Sequence, residues 1–253
     1  MKTIKNYLLL LAFFAFSLIP ANVFAGDYAT LNFIGFSKDG KYLAFEEYGV
    51  QDGSGFPYSN IYFINVEKNS YAAPPIMKTV KEPINENAIP TENAIRLAAK
   101  KAAAANLKKF KVIQGNTGKM VVARLLTDLN AGNVEPGDEG RDQIVEFTDY
   151  RDSSYYERAF ALLLKTSVVK TKTCDYAYNE ILKFDLTLKD TKAETEKILQ
   201  SDKVLPESRN CPHAYSIQNV YVYENRIAVF LNTYTTGFEG PDMRFMTVTG
   251  NYK

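Results

Sequence analysis

The chain has no tryptophan, one histidine and two cysteines among 253 residues. A lone histidine, His213, cannot build a multi-histidine metal centre. The two thiols have no Cys-x-x-Cys spacing, so neither a zinc nor a redox motif is present. No Gly-x-Ser-x-Gly elbow exists to give His213 a serine to activate. The lack of tryptophan argues against a glycan-stacking platform. Charge of one sign is also missing: 30 Lys and Arg stand against 29 Asp and Glu, which supplies no electrostatic drive toward nucleic acid or an anionic membrane. After the first 25 residues no apolar run approaches the roughly 20 residues of a membrane-spanning helix. Stretches such as Arg158 to Val169 carry charges every few residues.

What is present begins with an export pattern. Lys2 and Lys5 form a short positive region, and Tyr7 to Ile19 is apolar. Pro20 breaks that run, and Val23-Phe24-Ala25 offers small residues where a signal peptidase cuts. Residues 1–25 are therefore expected to be a cleaved signal peptide, with Gly26 the mature start and no membrane anchor left behind. Cleavage takes two bases and no acid, so the mature charge is near −1. The predicted location is the periplasm or the extracellular medium.

An oxidising destination turns Cys174 and Cys211 into an expected disulfide. Closing a loop with a separation of 37 residues stabilises by about 4 kcal/mol in the chain-entropy account.

The mature part, 26–253, reads as one β-rich domain with no linker. Its 17 Tyr and 16 Phe suit half-buried pleated surfaces. Leu31 to Phe36 reads as a strand, Ser37-Lys38-Asp39-Gly40 as a tight turn, and Lys41 to Tyr48 as the returning strand. A loop from Gly49 to Ser59 leads to a third strand, Asn60 to Val66. A similar meander closes the chain: Ile217 to Tyr223, Arg226 to Tyr234 and Met243 to Thr249, with a loop from Thr235 to Pro241. Further strands are expected over Lys119 to Leu126, Gln143 to Thr148, Arg158 to Val169 and Ile181 to Leu188. In the last, Leu182, Phe184, Leu186 and Leu188 share one face. Thr91 caps a predicted helix running to about Phe110, with Ile95, Ala98, Ala99 and Ala102 at helical spacing. A shorter helix is predicted from Ala193 to Ser201. The fold expectation is mainly β: antiparallel meanders forming a sandwich or an incomplete propeller-like sheet, with the 91–110 helix packed on it.

Phe36-Ser37-Lys38-Asp39-Gly40-Lys41-Tyr42-Leu43-Ala44-Phe45, with Ile61-Tyr62-Phe63-Ile64 downstream, resembles one blade repeat of TolB-type β-propellers across residues 33–66. The Asp-Gly-Lys turn occurs once, where a closed propeller repeats it in each blade. The whole chain is similar to a family of predicted secreted bacterial proteins of unknown function. That resemblance implies export and no particular activity.

Each sharper motif has a plainer reading. Gly115-Asn116-Thr117-Gly118-Lys119 lacks the first glycine of a phosphate loop, and Met120 stands where Ser or Thr would meet magnesium, so it is expected to be a turn. Ser167-Val168-Val169-Lys170 has the Ser-x-x-Lys spelling on a strand, where positions three apart face opposite ways. Glu46 and Glu47 are adjacent acids and would likewise face apart. Asp138, Glu139 and Asp142 read as an acidic surface turn, and Lys100, Lys101, Lys108, Lys109 and Lys111 as a solvated helix face. No cofactor and no metal site is expected.

Tyr150, Arg151, Tyr155, Tyr156 and Arg158 form an aromatic and charged segment of the kind that anchors interfaces, and they are the predicted binding residues. The expected function is a non-catalytic binding or interaction module whose partner is an unidentified protein or envelope component, and not nucleic acid. The alternative is a hydrolase using a carboxylate pair brought together from separate strands.

Overall fold

Alternating apolar residues make strands that bury one face, and a run apolar at every position makes a strand buried on both. The computed structural model, which describes residues 26–80, 89–126, 142–149, 158–174, 180–238 and 240–252, follows that rule closely. The first sheet contains β1 (Thr30–Phe36), β2 (Tyr42–Val50), β3 (Pro57–Asn65), β4 (Ser70–Tyr71) and β5 (Ile76–Thr79). Helix α1 (Glu92–Lys109) follows, and then β6 (Lys119–Ala123). The second sheet is β7 (Gln143–Asp149), β8 (Arg158–Val168), β9 (Leu182–Asp190) and β10 (Thr195–Ser201). β11 (Ala214–Tyr223), β12 (Arg226–Thr236) and β13 (Pro241–Asn251) join β6 in a third sheet of order β13-β12-β11-β6. All ladders between these strands are antiparallel.

The third sheet lies between the other two as a β-sandwich extended by a further layer. Arg226-Ile227-Ala228-Val229-Phe230-Leu231 has no polar position after its first residue, and β12 is buried from Ile227 to Thr235. Phe230 faces the first sheet, with its ring 5.1 Å from Phe33 and 5.3 Å from Phe45. Val229 and Leu231 face the second sheet, where Leu162, Leu164, Phe184 and Leu186 complete a separate core. A β-bulge between Ile217 and Asn219 shifts β11 by one residue. The shift lets Ile217 and Val220 both reach that second core.

The two predicted meanders are present and pack on one another, with the Phe36 and Tyr223 rings stacked at 5.2 Å. The Asp-Gly-Lys turn is held by its own side chains. Ser37 Oγ and the Lys41 N–H both donate to Asp39 Oδ1, and Gly40 takes φ 65°. These strands stack as a sandwich, one of the two architectures expected.

Thr91 caps α1 by accepting from the Ala94 N–H. The buried helix residues are Ala99, as predicted, and Ala103; the predicted Ala98 and Ala102 are exposed. Arg96 sets this rotation, because its guanidinium reaches through to Glu46 beneath the helix. With methyl groups at the contact, α1 sits against Ile61 and Phe63 of β3.

The predicted helix over 193–201 is instead strand β10. Asp190 accepts from the Lys192 and Ala193 N–H groups, and Glu194 takes φ 53°, so the chain turns back along β9. Leu199 then enters the second core. That tertiary burial outweighs the helix-forming composition of the segment.

Candidate functional site

The period of two along β2 places Leu43, Phe45 and Glu47 on one face and Ala44 and Glu46 on the other. Both acids are buried, and they do face apart as expected. Glu46 lies under α1, where it accepts from Arg96 Nε at 2.9 Å, Asn32 Nδ2 at 2.7 Å and Ser59 Oγ at 3.0 Å. Lys100 Nζ is 3.8 Å away. Burial raises the Glu46 pKa, but the Arg96 and Asn32 hydrogen bonds and the Arg96 charge outweigh it, so the carboxyl titrates below its ordinary range.

Glu47 points the other way and forms the floor of a pocket of about 440 Å³. Its Oε1 accepts from Tyr62 Oη at 2.6 Å and Asn60 Nδ2 at 3.1 Å, and its Oε2 accepts from the Phe245 N–H at 2.9 Å. Burial, reinforced by the Glu47 charge, pushes the Tyr62 phenol far above its usual pKa; Tyr71 is raised by the same two causes. Both are therefore neutral donors throughout the physiological range.

Three structural parts meet at the pocket. From the first sheet, Tyr62 and Tyr71 stack with centroids 6.0 Å apart, and the exposed Met77 stands at the rim. The third sheet contributes its edge strand β13, from Arg244 to Thr247. The connection from β10 to β11 contributes Pro206 and Ser208 to Asn210. Arg209 fixes that connection by a two-pronged pair with the buried Asp202 and by stacking over Phe184 at 4.4 Å. On the opposite side Arg244 is paired with Asp27 and lies over the Tyr58 ring. The walls are thus aromatic and polar, with both guanidinium groups locked by partners. The size falls within the range of small-ligand sites.

In the sequence Glu47 stands out only as one of two adjacent acids and Tyr62 only within a strand, and nothing marks Tyr71, Arg209 or Arg244 as site residues. A signal for Glu47 was present, since an acid in the inward slot after Leu43 and Phe45 must find buried donors. For the others no local pattern exists, because they converge from strands far apart in the chain.

Of the predicted binding residues, Tyr150, Arg151, Tyr155 and Tyr156 lie outside the described residues. Arg158 opens β8, with its backbone paired to Asp149. The predicted disulfide joins Cys174 to Cys211, with Cα atoms 5.7 Å apart. His213, two residues on, is buried; its main-chain N–H donates to the Tyr234 carbonyl, and burial lowers the imidazole pKa. Gly115 lies in a turn, as expected, and the chain runs through Gly118 into β6, which Lys119 opens; Ser167 is exposed on β8. Asp142 accepts from the Thr166 N–H at 2.8 Å; Asp138 and Glu139 lie outside the described residues. Among the described residues no helix is long and apolar enough to cross a membrane.

No curated protein and no solved structure matches the chain. A family model described as "Predicted secreted protein (DUF2259)" matches residues 44–251, from β2 to the last residue of β13. The chain belongs to this family of predicted secreted proteins.

Proposed function

We propose that this is an exported, non-catalytic binding protein, freed from residues 1–25 by signal cleavage, and that its ligand seats in the pocket above Glu47. The observation that carries the reading is the way the pocket is built. Its one lining carboxylate is committed to Tyr62, Asn60 and the Phe245 N–H. Such a group is anchored as a structural acceptor. A hydrolase of the paired-carboxylate kind needs two acids about 5 to 9.5 Å apart at the reacting bond, and among the lining residues Glu47 is the one carboxylate. Aromatic area with fixed polar groups around it is the usual composition of a recognition site. The segment from Tyr150 to Arg158 is proposed as a second contact surface on its side-chain chemistry alone.

The test is calorimetric titration and thermal shift of the exported protein with capped peptides, oligosaccharides and envelope extract. Tyr71 and Met77 are 54% and 66% exposed, so Tyr71→Ala and Met77→Ala should leave the melting temperature nearly unchanged. At least one probe class should bind the wild type and bind Tyr71→Ala at least about tenfold more weakly, in line with the loss of an aromatic anchor. No binding by any class, or undiminished binding by Tyr71→Ala, overturns the reading.

A further inference from the structure

β13 is the edge strand of the third sheet. Along an antiparallel strand the main-chain groups of successive residues point alternately toward the neighbour and away from it. The outward set here is Met243, Phe245, Thr247 and Thr249. Met243 exchanges hydrogen bonds with the Asp27 carbonyl and the Ala29 N–H. The Phe245 N–H donates to Glu47 Oε2, and the Thr249 N–H donates to Asn69 Oδ1 at 2.9 Å. Both ends of the edge are therefore closed by side chains or by the N-terminal segment. Between them the Phe245 carbonyl and both main-chain groups of Thr247 point away from β12. Among the described residues no strand pairs with them. Phe245, Met246 and Thr247 all line the pocket.

We infer that the ligand of the pocket is an extended peptide segment of another polypeptide, which adds as a short strand to the outer edge of β13 at Phe245 and Thr247. The inference rests on the pocket being a binding site and names its ligand class. An acceptor, a donor and a second acceptor in one plane, with the two residues about 7 Å apart, match the repeat of an extended main chain. A saccharide has hydroxyl groups on a different repeat. The window is three residues long and walled by Tyr71 and by the 206–210 connection. A single short strand suits a window of that length better than the edge of a second folded copy, whose own sheet would follow behind it. Side chains of an added strand alternate between the two faces, so every second one lies toward the Tyr62 and Tyr71 rings. The peptide is accordingly expected to carry an apolar or aromatic residue there.

Two arms test this. On the protein, Thr247→Pro removes the outward N–H and leaves the pairing with β12 in place, because that N–H does not face β12. Thr247→Val is the control; it loses the same hydroxyl contact with the Val229 carbonyl but keeps the N–H. On the wild-type protein, the probe is a series of acetylated, amidated tetrapeptides containing Phe or Leu, each N-methylated at one position. The expected result is binding by Thr247→Pro at least about fivefold weaker than by Thr247→Val, the scale of one hydrogen bond. In the peptide series, methylation should weaken binding at every second nitrogen. Should Thr247→Pro fail to fold, the methylation series alone decides. Equal tolerance of methylation at all positions, or saccharide binding without peptide binding, overturns the strand-addition inference and leaves the pocket reading standing. Absence of binding by every probe overturns both.

Discussion

Glu47 Oε2 accepts the main-chain N–H of Phe245 at 2.9 Å across a sequence separation of 198 residues. A β2 side chain thereby occupies the place of a missing neighbour strand beside β13. The carboxylate closes part of an exposed edge, and its other oxygen positions Tyr62 and Asn60.

Replacing Glu47 should therefore be costly in stability. Glu47→Ala leaves the Phe245 N–H, Tyr62 hydroxyl and Asn60 amide without their acceptor, and a buried unsatisfied group costs about 1–3 kcal/mol. Urea denaturation is expected to show a loss of about 3 kcal/mol or more. Glu47→Gln, which presents one amide donor to these donors, should lose less than the alanine variant. Equal stability of Glu47→Ala and wild type would show that this hydrogen-bond cluster does not hold the two sheets together.

Arg96 and Glu46 form the corresponding link on the helix side. Removing one partner of a buried pair costs about 3–5 kcal/mol, so Arg96→Ala should fall near the lower part of that range because Asn32, Ser59 and Lys100 remain. The pH dependence has a definite sign. The folded pKa of Glu46 lies below its unfolded value, near 4.3, so its contribution is complete above that pH and is lost as pH falls through the folded value. Acid unfolding of Glu46→Gln should consequently be less steep below about pH 4.3 than that of wild type.

His213 acts in the opposite protonation sense. It is buried beside the disulfide, and its Nδ1 has no hydrogen-bond partner. Burial lowers its pKa, so the folded imidazole takes up its proton at lower pH than the unfolded one. Below the unfolded pKa of about 6.5 the unfolded chain binds a proton that the folded chain does not. Stability then falls by up to about 1.4 kcal/mol per pH unit until the folded pKa is reached. Thermal denaturation from pH 7.5 to pH 5 should show a shallower decline for His213→Gln; matching slopes would exclude this source.

Reduction of the Cys174–Cys211 bond should lower stability by about 4 kcal/mol. A Cys174→Ala, Cys211→Ala double variant should reproduce that loss and become insensitive to reductant. An unchanged melting temperature on reduction of the wild type would show that the bridge adds nothing to the folded state.

Strands and their exposed faces were largely legible because the period of two survives wherever one face is wet, as in Leu182 to Leu188. The Cys174–Cys211 pairing was legible because two cysteines in an exported chain leave one intramolecular choice. The helix rotation was legible only at Ala99, since Ala98, Ala99, Ala102 and Ala103 are the same residue type and only the Arg96–Glu46 contact distinguishes their faces. β10 was not legible, because Ala193 to Ser201 carries helix-forming residues and becomes a strand by pairing with β9. The pocket escaped for a related reason: Tyr71, Arg209 and Arg244 each have unremarkable neighbours in sequence and meet only when three sheets are assembled.

The position of the third sheet bears on how an exported chain matures. Three of its four strands, β11 to β13, are the last strands of the chain, yet the buried faces of both other sheets rest on it. The β1–β2–β3 hairpins pair locally and can form early. The chain cannot bury Phe45 or Leu186 until Phe230 and Val229 have followed. Neither core can close before β11 to β13 are in place, so the first two sheets wait on the third for their buried faces.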